Sequence, residues 1–254
     1  MYNCCPKCQY ERLDTDTGDP GICPACGLIF SKWIKQQYSS PSSVSTQLEK
    51  SKDTFEKLNL IRDWLVYVDP KTEPVFFYGR LILYSGFLVW GWNFIMMDFT
   101  IDPFEIGKSF MHRINLVFHE AGHVFFRPFG WFMTILGGTL GQLIMPIIVM
   151  LVFIFKTRDN FAASIGLWWL GQSFMDSAPY IDDALDQKLI LLGGRTGADA
   201  PGNHDWNNIL GEINRLEKCH EYASYADIAG TILMCTAFIW GGYILYLQFR
   251  NIDQ

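Results

Sequence analysis

Two long stretches without charge constrain the fold of this chain more than any other feature. Residues 128–155 and residues 228–249 contain no Asp, Glu, Lys or Arg. An α-helix of about 20 apolar residues is long enough to cross the hydrocarbon core of a bilayer. Half of the residues are hydrophobic and 18% are charged, compared with about 25% charged residues in an ordinary soluble domain. The sequence therefore predicts an α-helical polytopic membrane protein.

Five hydrophobic helices are predicted for the membrane domain, which we expect to occupy residues 73–254. The segments are residues 76–97, 110–127, 129–155, 160–181 and 227–249. Gly137, Gly138 and Gly141 in the third segment allow another helix to approach closely. A polar stretch, residues 182–226, separates the fourth segment from the fifth.

Four cysteines near the start of the chain have the spacing of a metal site. Cys5 and Cys8 lie in "CPKC", and Cys23 and Cys26 lie in "CPACG" after fourteen intervening residues. Two such pairs are typical of a tetrahedral structural zinc site, and two disulfides are the alternative. Metal–thiolate bonds supply the folding energy that so short a segment cannot obtain from a hydrophobic core. Residues 3–30 resemble the zinc ribbon family, and we expect a small zinc ribbon over residues 1–35.

Residues 36–72 are predicted to connect the ribbon to the membrane domain. A Ser-rich linker, "SSPSSVST", is followed by an amphipathic pattern with Phe55, Leu58, Ile61 and Leu65 on one face of a helix. Zinc thiolates persist best in a reducing compartment, which favours a cytoplasmic ribbon. Basic residues in the N-terminal region and in residues 182–226 favour the cytoplasm for both, with the C-terminus outside.

The segment "VFHEAGHVFF" places His119, Glu120 and His123 in apolar surroundings. The two histidines are four residues apart, so on a helix they share one face and can bind one zinc ion. Glu120 is then placed to take a proton from a zinc-bound water. Satisfied core histidines are the alternative, but ionisable groups in a membrane segment are rare and usually functional.

A third zinc ligand has to come from elsewhere in the chain, since a catalytic zinc site usually has three protein ligands. Asp176 is the first choice because it follows a charge-free run, residues 160–175. His204 and Asp205 in "GNHDWNNIL" form the rival pair. That pair could instead precede a helix, with Asp205 as its N-cap. Asp182 and Asp183 come third.

These features together resemble the intramembrane site-2 protease family of zinc metallopeptidases over residues 106–185. HEAGH in a hydrophobic segment is followed by an uncharged stretch with "GGTLGQLIMP" and by "SFMDSAPYIDDA". The resemblance implies that His119 and His123 bind zinc, that Glu120 is the catalytic base, and that a later transmembrane aspartate completes the site. The Asp-Gly of that family is missing here, so matching does not separate Asp176 from the two later aspartates.

We therefore expect zinc-dependent hydrolysis of peptide bonds in or beside the membrane, with one catalytic and one structural zinc ion. The expected substrate is a transmembrane or membrane-proximal protein, the membrane domain contacts lipid, and the ribbon is expected to meet a protein partner. The alternatives are a non-proteolytic membrane adaptor with a structural zinc site and a metal transporter, although no repeat of the transporter kind is evident. A net charge of −6 without a basic cluster predicts no nucleic-acid partner.

Overall fold

The computed structural model describes residues 3–39, 56–57 and 59–252. The chain forms two compact units, Met1–Arg62 and Asp63–Gln254. Residues 40–46 of the predicted linker, with Phe55 and Leu58 of the predicted amphipathic helix, lie outside the described residues, whereas residues 59–65 are helical.

The first unit contains two turns with the same backbone pattern, followed by helix α1 (Phe30–Ser39). In each turn a cysteine N–H donates to the carbonyl five residues on, and the cysteine carbonyl accepts from the N–H four residues on. All four distances are 2.9 Å, for Cys5 with Tyr10 and Gln9 and for Cys23 with Leu28 and Gly27. The two knuckles are thus closed by the same backbone hydrogen bonds.

The second unit is a helical bundle. Its helices are α2 (Pro74–Met96), α3 (Phe110–Phe126), α4 (Trp131–Val152), α5 (Asn160–Asp182), α6 (Asp205–Glu212) and α7 (Cys219–Arg250). Each of the five hydrophobic segments predicted from the sequence overlaps one of these helices. A π-helical turn, Phe153–Thr157, extends α4.

Within the described residues, three helices are long and apolar enough to cross a membrane, namely Pro74–Met96, Trp131–Thr157 and Leu216–Arg250. The expected number was five. Helix α3 has only 17 residues, and α5 carries polar side chains such as Asn160, Gln172 and Asp176 along its length. Both helices therefore fall outside the group.

Helices α2, α4, α5 and α7 run the length of the bundle. At one end, which we call the entry end, Asn160 donates to the Trp64 carbonyl at 2.7 Å and the Thr72 N–H donates to the Asn251 carbonyl at 3.5 Å. At the opposite, far end, Phe99 packs with Ile181 of α5 and Ala223 of α7. Helices α2 and α5 therefore run in one direction, and α4 and α7 run in the other.

The ends of the bundle differ from the expected arrangement. The sequence predicts the N-terminal region and residues 182–226 on one side of the membrane and the C-terminus on the other. In the structure, residues 63–72 share the entry end with the end of α7, and residues 183–218 lie between the far ends of α5 and α7. The difference arises because α3 does not run the length of the bundle, and the side of the membrane on which each region lies stays a prediction.

Helix α5 is the central helix of the bundle, with 16 of its 23 residues buried. Its backbone meets α7 directly, because a Cβ added to Gly171 would lie 2.8 Å from the Gly230 carbonyl oxygen. The outer helices show apolar side chains to their surroundings; Val75 and Ile82 of α2 are 82% and 75% exposed. A continuous apolar exterior of this kind is typical of contact with lipid.

Candidate metal centre

His119 and His123 lie on one face of α3 and point to a single carboxylate oxygen. The Nε2 atoms of His119 and His123 are 3.0 Å and 3.3 Å from Oδ2 of Asp205. A tetrahedral zinc ion with bonds of 2.0–2.1 Å separates neighbouring ligand atoms by about 3.3 Å. Each of the two histidine–carboxylate distances is close to that separation, and the 3.0 Å contact also fits a hydrogen bond between His119 and Asp205.

Asp205 is held in this place by the start of α6, of which it is the first residue. Its backbone N–H donates to the Tyr180 hydroxyl at 2.9 Å. The N-cap is His204, whose Nδ1 accepts from the Asn207 N–H at 3.2 Å. The suggestion that Asp205 caps the helix is therefore wrong. The imidazole satisfies the helix N-terminus, and the Asp205 carboxylate is left to contact the α3 histidines.

The Asp205 side chain has the charge that a metal ligand requires. Burial alone would raise the pKa of its carboxyl group, but the contacts with His119 and His123 lower that pKa to about 2. The carboxylate is therefore ionised at neutral pH, in a setting where an unpaired charge would be costly.

Glu120 and the orientation of His123 complete the group. His119, Glu120 and His123 each offer a ligand atom within 4.8 Å of the other two. Nδ1 of His123 lies 2.8 Å from the Thr134 carbonyl oxygen, which selects the tautomer with the proton on Nδ1. Nε2 then faces the Asp205 carboxylate and is the nitrogen that a metal ion would bind, an arrangement common among metal-binding histidines.

Gly138 of α4 makes room for these rings. A Cβ at this position would lie 2.5 Å from Nε2 of His119 and 2.6 Å from Nε2 of His123. Cβ atoms on Gly122, Gly137 and Gly141 would likewise meet the backbone of the facing helix. The close helix approach expected at Gly137, Gly138 and Gly141 is therefore confirmed.

Asp176, the first choice for the third ligand, lies in a different polar cluster. Its carboxylate oxygens are 2.9 Å from Nδ1 of His112, 3.1 Å from Nδ2 of Asn115 and 3.0 Å from Nε2 of Gln142. These groups satisfy a carboxylate that is only 6% exposed. The geometry favours Asp205 over Asp176, whose role as a ligand stays a prediction.

The other candidate ligands also have protein partners. His204 is fully buried, stacks on Tyr180 with a centroid distance of 4.3 Å, and lies 3.4 Å from the carboxylate of Asp183. Asp182 lies 2.6 Å from Nδ1 of His220. His204, Asp182 and Asp183 therefore each contact another side chain of the protein, and their roles as metal ligands stay predictions.

Both polar clusters line one cavity of about 840 Å³, which we call the main cavity. His112, Glu120 and Asp176 line it together with His119, His123 and Asp205. His112 and Asn115 were not among the residues predicted from the sequence, and Asp205 was considered only with His204 as the rival pair and as a possible N-cap. A polar residue in an apolar helix was the available signal for Asn115, whereas nothing in the sequence pairs Asp205 with residues 86 positions away.

The spacing of the four sulfurs of Cys5, Cys8, Cys23 and Cys26 fits a zinc ion. Sγ of Cys5 is 3.7 Å from that of Cys26, and Sγ of Cys8 is 3.6 Å from that of Cys23. Zinc–sulfur bonds of 2.3 Å in a tetrahedron separate the sulfurs by about 3.8 Å, whereas a disulfide requires about 2.05 Å. All four cysteines are free. The spacing therefore supports the metal site over the disulfide alternative.

The turn around Cys5 also favours its thiolate form. Burial opposes ionisation of this thiol, but the backbone N–H groups of Cys8 and Lys7 donate to its sulfur and lower its pKa to about 6. The thiolate is the form that binds metal, so the fold of the knuckle prepares Cys5 as a ligand.

Comparison of the chain with protein-family models, with curated proteins and with solved structures finds no match. Within the described residues, the fold and the sites define a helical protein with three candidate membrane-spanning helices and, at its N-terminus, a zinc-ribbon-like cluster of Cys5, Cys8, Cys23 and Cys26.

Proposed function

We propose that this protein is a zinc-dependent membrane peptidase whose metal ligands are His119, His123 and Asp205. The observation that carries the proposal is that Nε2 of His119 and Nε2 of His123 lie 3.0 Å and 3.3 Å from the same oxygen, Oδ2 of Asp205. Glu120 stands beside them as a fourth ionisable group. A purely structural site has no need of a base next to the metal ligands.

A zinc ion bound there supplies Lewis-acid polarisation of a carbonyl group and makes a water molecule more acidic. Glu120 takes a proton from the attacking water as its oxygen bonds to the peptide carbonyl carbon. The C–N bond then breaks, and Glu120 returns the proton to the leaving amine. The Thr134 carbonyl keeps His123 in the tautomer and orientation needed throughout.

The surroundings of the site support a membrane-embedded enzyme. Val117 and Val124, which are 64% and 74% exposed, lie on α3 and give this helix an apolar outer surface. We propose that α3 and α5 lie at membrane depth beside the three apolar helices and that the bundle contacts lipid. The substrate is then a transmembrane or membrane-proximal protein, as in the site-2 protease family that the HEAGH segment resembles. The ribbon lies in the cytoplasm and meets a protein partner.

The test compares single variants of the full chain by zinc content and hydrolysis. The parent should hold two zinc ions and cleave members of a pool of synthetic transmembrane peptides, with products read by mass spectrometry. Glu120→Gln should keep both ions and lose cleavage, because the amide has the same size but cannot accept the proton. A Glu120→Gln variant that cleaves at the parent rate would overturn the proposal.

The ligand assignment has its own comparison. Asp205→Ala should retain only the ribbon zinc, whereas Asp176→Ala and His204→Ala should retain both ions. Loss of the second ion from Asp176→Ala with retention in Asp205→Ala would restore the sequence-based choice.

A second candidate function rests on the four-cysteine cluster of the ribbon, which is suited to protein recognition. In that adaptor function the ribbon binds a partner, and Glu120→Gln has no effect on the protein's action.

A further inference from the structure

A second cavity of about 400 Å³ adjoins the main cavity, and we call it the side pocket. Residues of helices α4, α5, α6 and α7 line it. The two cavities meet at Thr139 of α4 and Ser177 of α5, which line both. An occupant of the side pocket therefore lies next to whatever occupies the main cavity.

The lining of the side pocket is apolar. Its walls include Leu143, Phe174, Ile181, Ile209, Leu210 and Tyr222, and none of the twelve lining residues is charged. A charged side chain placed there would lose its hydration without gaining a partner. The volume is within the range of small-molecule pockets and accommodates an aromatic or branched aliphatic group.

Trp206 links the side pocket to the candidate metal centre through the chain. This residue follows Asp205 directly and lines the side pocket. The start of α6 therefore contributes one residue to each cavity.

From these observations we infer that the side pocket receives a large apolar side chain of the substrate next to the peptide bond that is cut. The inference rests on the proposed function, since it assigns a substrate preference to that site. Lipid is the other apolar occupant to consider. The shared residues Thr139 and Ser177 favour the substrate, because they place the side pocket next to the main cavity and its candidate metal centre.

Ala226→Trp tests the size of the pocket, since Ala226 of α7 is part of its wall. Peptides are offered with Phe, Leu, Val or Ala next to the scissile bond. In the parent, kcat/KM should be highest for Phe and Leu, and Ala226→Trp should lower the Phe-to-Ala ratio at least tenfold. Zinc content should stay at two. Ile232→Trp places the same bulk on α7 at a residue that is 60% exposed, and it should leave the ratio unchanged. An unchanged ratio in Ala226→Trp overturns the inference.

Crosslinking provides a readout that needs no turnover. A peptide carrying a benzophenone side chain is irradiated with the zinc-loaded Glu120→Gln variant, and the adduct is mapped by mass spectrometry. Labelling of Leu210 or Trp206 supports the inference, and its loss in Ala226→Trp supports it further. Labelling of the same residues only by a diazirine-bearing phosphatidylcholine in vesicles overturns it in favour of lipid. If the peptide labels these residues but the parent protein cleaves no peptide, the proposed peptidase function is refuted and the side pocket remains a peptide-binding site.

Discussion

Position 138 has no space for a methyl group, and this makes Gly138→Ala a sharp test of the metal centre. The added carbon would lie 2.5 Å and 2.6 Å from the two histidine Nε2 atoms, while ordinary contact begins at 3.4 Å. The rings or the backbone must therefore separate by roughly 1 Å. Metal–ligand distances tolerate about 0.2 Å, so the displacement is several times larger than the site can absorb.

We expect Gly138→Ala to hold one zinc ion per chain in place of two and to lose at least about 100-fold in affinity at the second site. Overpacking should also cost about 1–3 kcal/mol of stability, partly offset because Ala favours a helix over Gly by about 1 kcal/mol. Metal analysis after dialysis against a graded series of chelator concentrations measures the loss.

Gly86→Ala is the matched control, since a Cβ on Gly86 of α2 would meet nothing within 4 Å. It makes the same chemical change in another helix and should keep both ions. Two zinc ions in Gly138→Ala, bound as tightly as in the parent, would show that the histidine nitrogens do not face a metal at this position.

Further predictions concern the ribbon and the far end of the bundle. Gln9 and Gly27 occupy equivalent positions of the two knuckles with φ of 57° and 69°. Gln9→Gly should stabilise the folded ribbon and Gly27→Ala should destabilise it, each by about 0.5–1 kcal/mol. Zinc release to a chelator should accordingly be slower in Gln9→Gly and faster in Gly27→Ala. The reverse order would contradict the equivalence of the turns. Burial alone would raise the pKa of Asp183, but contacts with His204 and with two backbone N–H groups lower it. Its contribution to stability is therefore full above about pH 4 and is lost as the pH falls through the folded-state pKa. Asp183→Asn should unfold more easily than the parent by about 1–3 kcal/mol at pH 7, and a gap between their unfolding temperatures that stays constant down to pH 3 would refute this.

The parts of the molecule that the sequence predicted are those set by local spacing. Cys5, Cys8, Cys23 and Cys26 lie within two short turns, and His119 and His123 are one helical turn apart. Contacts of this kind follow from backbone geometry alone. The helices themselves follow from long apolar runs.

The third ligand and the topology depend on how the helices pack. Asp205 reaches the histidines only because α6 begins beside the end of α5, where Tyr180 holds its backbone N–H. Asp176 has the burial expected of a ligand, but Asn115 and Gln142 satisfy it instead. The ends of the bundle differ from the expected arrangement because hydropathy identifies apolar segments without showing which of them run the length of the bundle.

The central position of α5 has a consequence for how the protein is made. This helix is too polar to count among the candidate spans, yet its Gly171 meets Gly230 of α7 backbone to backbone. Helix α7 is synthesised after α5, so a ribosome has to produce about 50 more residues before that partner exists. If α5 lies at membrane depth as proposed, its polar side chains oppose stable insertion as a separate segment. The proposed arrangement then requires α7 before α5 is stable in the bilayer, and a delay in the intervening loop would prolong the exposure of α5 to quality control.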